Sequence, residues 1–508
     1  MNFFAAVAAI MLKTVWCYGT SRPFRWGVST APSFNPCGSL PSAALNEKTV
    51  VQWQKKMGGF VYTSVWLHYF CRKHKKDSYM DRHIESLLGF LDGSPCNFYA
   101  VAAAKAMLVE AGFAELDLAD EWNLAPRGKY FTTKNDSAIF AFTVGDEPVA
   151  DAGVRIIAAH SDSPCFRIKP HAATVAEGGV VKLNTEVYGG PILYTWFDRP
   201  LSVAGRVLLR GSDALHPVTK LVKVDRPLLV IPHLPIHFNR SVNEGNPLSK
   251  QKDMLPMLGR ITDAAEKDNL LLNIIGGELG VGIDKILDFD LMLYDTHRAT
   301  VAGLNGEFVC SGRIDDLSMV HAAITAIIEG QGTRVTRIAA IFDNEETGSG
   351  TKQGAASPVL ANIIERIGMA QGSSRDGFMR GIARSFMISA DNAHAFHPNY
   401  PEKFDPTNHP AIGGGPVIKI NANCKYMTDA RSAAIFRSLC EEAGSPYQYF
   451  VNHSDVAGGS TLGNILTSQI DIEGVDVGNP LWAMHSVCET GSTDDHINMT
   501  RVFTRFFD

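Results

Sequence analysis

Three short apolar runs, each stopping at a polar residue, constrain this chain more than anything else in it. Val154 to Ala159 stops at His160, Arg337 to Phe342 stops at Asp343, and Ser385 to Ala390 stops at Asp391. None alternates apolar and polar residues with a period of two, so each reads as a strand buried on both faces. That is the habit of parallel strands in an α/β sheet covered by helices. Open sheets of this class bind ligands in the crevice beyond the carboxyl ends of their strands. Three separate segments therefore point at one crevice.

At 508 residues the chain exceeds what one hydrophobic core usually organises, and at least two domains are expected. Ile84, Leu87, Leu88 and Leu91 recur at helical spacing up to Gly93. Ser94-Pro95 then offers a cap and a first-turn proline for a second helix ending near Gly112. The first domain is thus predicted over residues 81–168 and 302–508. Residues 169–301, with β-rich runs at Pro200 to Leu209 and Leu221 to Ile231, read as a second domain inserted into it.

Residues 1–80 read as a poorly ordered N-terminal extension. No acidic residue precedes Glu47, and Ser21 to Ala44 is rich in Pro, Ser and Gly. Phe3 to Leu12 has the length of a signal-peptide core but no Lys or Arg before it, which leaves an organellar or secretory leader open beside a cytoplasmic location. Both this run and Gly59 to Phe70 fall short of the roughly 20 residues that span a bilayer, so no membrane anchor is expected. The nine cysteines are odd in number and form no C-x-x-C pair, which suits a reducing compartment. A formal charge of -6 gives no basic footprint for nucleic acid.

Chemistry gathers at the ends of the runs. His160-Ser-Asp162 closes the first, with Asp162 near enough to hold an imidazole in one tautomer. Asp315 and Asp316 precede a helix read over Leu317 to Ile328, where either acid could bridge cations or merely cap the helix. Asp343-Asn-Glu345-Glu346 crowds carboxylates that repel one another unless cations or protons offset them. Asp391 is followed by His394 and His397, and His485 lies beyond a strand expected at Ile470 to Val475. Two histidines and three acids, with a spare glutamate, are what two zinc ions sharing a carboxylate require; manganese or cobalt would accept the same donors.

At this point the chain resembles the aspartyl aminopeptidases, cytosolic exopeptidases with two zinc ions. The likeness runs from about Asp81 to Phe507. It is carried by Ala159-His-Ser-Asp-Ser-Pro-Cys165, Thr195-Trp-Phe-Asp-Arg199, Ile231-Pro-His-Leu-Pro-Ile-His237, Arg313-Ile-Asp-Asp-Leu317, Asp343-Asn-Glu-Glu346, Ser389 to Tyr400, Gly415-Pro-Val-Ile-Lys419 and Met484-His-Ser486. The resemblance implies a mixed sheet flanked by helices, as in zinc exopeptidases, with a β-rich dimerisation domain inserted. It implies that Asp315 bridges two divalent ions, with His160 and Asp391 completing one site and Glu346 and His485 the other. Glu345 would be the general base and Asp162 the partner of His160. His237 would reach a neighbouring subunit's active site, within dimers that build a tetrahedral dodecamer admitting short unfolded peptides. Lys419 and Tyr426 would contact an acidic N-terminal side chain, and Gly459 and Ser460 the substrate backbone. Asp316 stands where some members carry Asn.

The implied reaction is release of N-terminal Asp or Glu from short peptides. Water bridging two zinc ions loses a proton near neutrality, and a glutamate relays it to the departing amine. Two alternatives use the same sequence differently. A carboxypeptidase or deacylase would keep the ligands but place a cation for a C-terminal carboxylate, and a catalytically inactive assembly module would have lost a ligand or the base.

Overall fold

A computed structural model of the chain describes residues 80, 82–261 and 267–508. The N-terminal extension expected at residues 1–80 therefore lies, apart from Met80, outside the described residues. No helix among the described residues is long and apolar enough to cross a membrane.

The runs form the middle of a nine-stranded mixed sheet. Its spatial order is Ala114–Glu115, Lys129–Lys134, Ala138–Thr143, Thr336–Phe342, Val154–His160, Phe386–Ala390, Glu473–Gly478, Val417–Ile420, Gln448–Val451. Val154–His160 is parallel to both of its neighbours, with His160 opposite Phe342 and Ala158 opposite Ser389. This register brings the three polar run ends to one edge.

Alternate residues of these strands feed two cores. Ile157, Ala159, Ala339, Ile341 and Ile388 pack under the helices Asn97–Glu110, Ile314–Glu329, Ala430–Ala443 and Thr493–Phe507. Ile156, Ala158, Ile338, Ala340 and Phe342 pack under Val359–Ala370, Arg375–Ile382 and Leu462–Leu466. With helices on both faces, neither side of the strands can be polar, which is why the runs lack alternation. The α/β class with a mixed sheet between helices is the one the chain adopts.

A second, six-stranded sheet runs in the order Val218–Lys223, Leu201–Leu209, Ile286–Asp295, Cys165–Val175, Val180–Tyr188, Met257–Arg260. It has its own core of Phe166, Leu183, Leu201, Val203, Leu291 and Leu293, joined by Leu271 and Ile275 of the helix Lys267–Leu279.

Three local expectations need correction. Ser94-Pro95 does not cap the second helix, which begins at Asn97 after Cys96 without a side-chain cap; the Ser94 amide instead closes the turn out of the first helix on the Leu91 carbonyl. The strand expected at Ile470 to Val475 is Glu473–Gly478, because Ile470 still donates its amide to Leu466 as the tail of a helical turn. The run Leu221 to Ile231 stops being a strand at Lys223, since Pro227 has no amide to give and only Leu229 and Val230 form isolated bridges.

Candidate metal centre

Asp315 is the pivot. It follows Arg313, which sits in the left-handed region at φ 63°, and its own backbone (φ -79°, ψ 109°) departs from the helix that continues to Glu329. Neither of the first acids caps that helix through its side chain, and Asp315 Oδ1 is buried with no hydrogen-bond partner. Instead His160 Nε2 faces Oδ1 at 3.6 Å and His485 Nε2 faces Oδ2 at 3.5 Å. Glu346 Oε1 lies 3.3 Å from the same His485 nitrogen. These gaps are longer than hydrogen bonds. They match the roughly 3.3 Å between adjacent donors of a tetrahedral site whose bonds are about 2.0–2.1 Å.

Both imidazoles are held in the same way. His160 Nδ1 lies 3.0 Å from the Asp162 carbonyl, and His485 Nδ1 lies 3.1 Å from the Gly190 carbonyl. Nδ1–H donating to a carbonyl leaves the Nε2 lone pair free, and in both residues Nε2 points at Asp315. His485 reaches this pose with φ 68°, a backbone state that surrounding contacts must enforce. A side chain at Gly190 would come within 3.6 Å of that ring.

Two overlapping donor groups result: His160, Asp315, Asp316 and Asp391, and Asp315, Glu346 and His485. A third, His160 with Glu345 and Glu346, links them. All five expected ligands, His160, Asp315, Glu346, Asp391 and His485, therefore converge with Glu345 beside them. The charge balance is lopsided. Burial, with Asp391, Glu346 and Asp162 nearby and despite His160, pushes the Glu345 carboxyl up to about 9. Burial likewise raises Glu346, Asp391 and Asp316. Asp315 alone is held low, because the imidazoles of His160 and His485 outweigh its burial. The same carboxylates lift His160 well above its ordinary range and His485 to about 11, again against burial. Divalent cations at this spot would offset the crowded carboxylates.

Buried carboxylates in and around the donor set also fix the backbones that carry it. Asp162 accepts from the amides of Glu345 and Glu346, both at 3.1 Å, and from the Tyr188 hydroxyl at 2.7 Å. Its carboxylate is 3.4 Å from His160 Nδ1, so it steadies the glutamate loop at least as directly as the imidazole. Asp316 accepts from the His160 amide at 3.1 Å and from Asn392 Nδ2 at 3.1 Å. Glu489 accepts from the amides of Asp315 (3.0 Å) and His485 (2.7 Å). The sequence carries no local mark of Tyr188, Asn392 or Glu489 as supports of the site.

Lys419 is 3 % exposed, with Nζ 3.5 Å from Asp391 Oδ2 and 5.7 Å from the Tyr426 ring centre. Asp476 ties the neighbouring loops together, accepting from the Met427 amide at 2.6 Å and the Thr461 hydroxyl at 2.7 Å. Those two residues flank Tyr426 and Ser460. Gly459 and Ser460 are exposed, and Ser460 donates to Asn464. His237 is exposed in a loop with Leu234, Ile236 and Phe238, and it belongs to none of the donor groups.

Residues 90–507 match the family described as Aminopeptidase I zinc metalloprotease (M18). This chain belongs to the M18 aminopeptidase family. The M18 chain is 50 % identical over 424 residues to a probable M18 family aminopeptidase 2 of Clostridium acetobutylicum, covering 84 % of this chain and 98 % of that one. It superposes on a chain of the cryo-EM structure of the Ape4 and Nbr1 complex with a TM-score of 0.81 at 32 % identity, covering 84 % and 86 %. It superposes on the S. cerevesiae mApe1 dodecamer structure with a TM-score of 0.74 at 25 % identity, covering 85 % and 97 %. A zinc metalloprotease family suits the mixed N and O donors gathered around Asp315 in this M18 chain.

Proposed function

We propose that the chain is an aspartyl aminopeptidase that removes N-terminal Asp or Glu from short peptides, using two divalent ions, zinc in preference to manganese or cobalt. His160, Asp315 and Asp391 would hold one ion, and Asp315, Glu346 and His485 the other. One observation carries the reading: the two oxygens of Asp315 face the Nε2 atoms of different histidines at 3.6 and 3.5 Å, the pose of a shared carboxylate.

Bound zinc supplies Lewis acidity, making water acidic near neutrality and polarising a peptide carbonyl. The chain's own residues do the rest. Glu345 adjoins both donor groups but is not needed as a ligand, and with cations offsetting the surrounding carboxylates it would be ionised and able to accept a proton. It takes a proton from the attacking water and returns it to the departing amine nitrogen. Asp162 keeps that carboxylate in place through the two amides it accepts from. Lys419 supplies a buried ammonium for the acidic side chain, with Tyr426 packed beside it and the Gly459-Ser460 turn available to the peptide backbone.

Self-association fits the same picture. Leu234, Ile236 and Phe238 are 57, 50 and 79 % exposed around His237, and a projecting apolar loop is what an interface buries. The reading is of dimers built into a tetrahedral dodecamer, as mApe1 forms a dodecamer, in which His237 adds to a neighbour's site. A cytoplasmic location accords with this, as do the six free cysteines among the described residues.

The test is release of free amino acid from Asp, Glu and Leu peptides by metal-replete protein, with and without a chelator. Release from Asp and Glu peptides that stops on chelation is expected. Equal cleavage of Leu peptides refutes the acidic specificity, and chelator-insensitive cleavage refutes the metal mechanism.

A further inference from the structure

Glu489 is 1 % exposed and lies at the start of the strand Glu489–Ser492. A carboxyl group buried that far is costly unless its oxygens are satisfied. Here the two oxygens are divided: Oε1 accepts from the His485 amide at 2.7 Å and Oε2 from the Asp315 amide at 3.0 Å, across 174 residues of sequence. Neither amide has an ordinary partner available. His485 is in the left-handed region at φ 68°, and Asp315 stands in the first turn of its helix, where amides lack an intrahelical acceptor.

Burial as such does not explain the choice of a carboxylate. The strand pairs with Phe308–Ser311 through its backbone, which would hold with an apolar side chain at 489. An apolar residue there would leave the buried Asp315 amide and the partly buried His485 amide without this acceptor, and the left-handed turn at His485 without its tie. The two tied residues are the pair whose side chains face each other at 3.5 Å.

We infer that Glu489 is a positioning residue for the metal pair: one carboxylate sets the distance and angle between the shared ligand Asp315 and the terminal ligand His485. This rests on the ligand assignment proposed above. Glu489 belongs to none of the donor groups. Its action is on the backbone, so the ion held by Asp315, Glu346 and His485 depends on it more than the ion held by His160 and Asp391.

The test is E489Q in the full-length protein. Gln matches Glu in shape but turns an NH2 toward one of the two amides, so one tie becomes a repulsion. Competition with a chromogenic chelator should show a ten- to hundredfold weaker binding of one zinc equivalent and little change in the other, the scale expected for a ligand's supporting partner. The cobalt-substituted protein should lose or shift the absorption of one site only. E489D, which reaches one amide but not both, should fall between wild type and E489Q. A merely structural role would instead lower the melting temperature of the metal-free protein while leaving both affinities and the cobalt spectrum unchanged, and that result overturns the inference. So does equal weakening of both ions. If E489Q does not fold, E489D decides by the same two readouts. Wild-type protein binding no divalent ion would sink the metal reading itself, an outcome separate from these.

Discussion

Replacing Lys419 by Met separates two jobs that its position allows. The ammonium is buried and sits 3.5 Å from Asp391, so it can neutralise a ligand, recognise an acidic substrate, or both. A charge-assisted hydrogen bond to a substrate carboxylate contributes about 1.5–3 kcal/mol, or roughly 10–150-fold in kcat/KM. Sites whose polar groups are orphaned by the wrong substrate reach about 10⁴–10⁵. Lys419 is not orphaned by a leucyl peptide, because Asp391 stays beside it, so the lower range is expected here. Wild-type protein should therefore prefer glutamyl over leucyl peptides by roughly 10–150-fold through this contact. In K419M that ratio should collapse toward one, mostly by loss on the glutamyl side. The assay is kcat/KM for matched glutamyl, aspartyl and leucyl peptides at saturating zinc, with zinc content measured on the same samples. If K419M keeps the full ratio while both substrates slow together and zinc is lost, Lys419 serves Asp391 alone and the specificity argument fails.

Three further variants test the site and the core around it. E345Q should lose about 10²–10⁴ in kcat while retaining its zinc, and stoichiometric metal loss in that variant would mark Glu345 as a ligand rather than a base. Y188F removes the hydroxyl that donates to Asp162 at 2.7 Å and accepts from Asn344, so kcat should fall about tenfold, the equivalent of about 1.4 kcal/mol, with KM little changed; an unaltered kcat speaks against Asp162 as the support of the glutamate loop. Away from the site, His321 meets Ser86 at 2.9 Å and His496 at 3.0 Å, and burial with the nearby His83 lowers it to about 3. Its folded pKa lies below the unfolded 6.5, so its stabilisation is present above pH 6.5 and fades as pH falls toward 4, by about 1.4 kcal/mol per pH unit. Urea midpoints of H321Q should accordingly depend less on pH over that window than those of wild type, and parallel curves would refute it.

The middle of the large sheet was readable because helices on both faces force unbroken apolar runs, and two of the five proposed ligands, His160 and Asp391, close such runs. That pattern marks His160 and Asp391 but equally marks Asp343, which joins no donor group, so run ends alone do not single out a ligand. Asp315 and His485 could not be separated from a helix cap and a core histidine by local sequence; only convergence in space distinguishes them. Glu489, Tyr188 and Asn392 were illegible because they act on backbone amides far away in sequence, and such contacts leave no spacing or periodicity behind. Element ends misread for a similar reason: Ser94 and Ile470 were taken by the turns of preceding helices, a competition between neighbours that composition does not reveal.

Tyr188 ends the strand Val180–Tyr188, Gly190 follows it, and Thr195 comes soon after, its hydroxyl accepting from the Val487 amide at 3.0 Å. Three short tethers thus run from the smaller sheet to the glutamate loop and to the segment bearing His485. Tilting that sheet by a few degrees would draw the Gly190 carbonyl off the imidazole, leave the ring free to spin or swap its proton, and turn its lone pair aside. On the proposed ligand assignment, the smaller sheet would therefore share in setting the aim of His485.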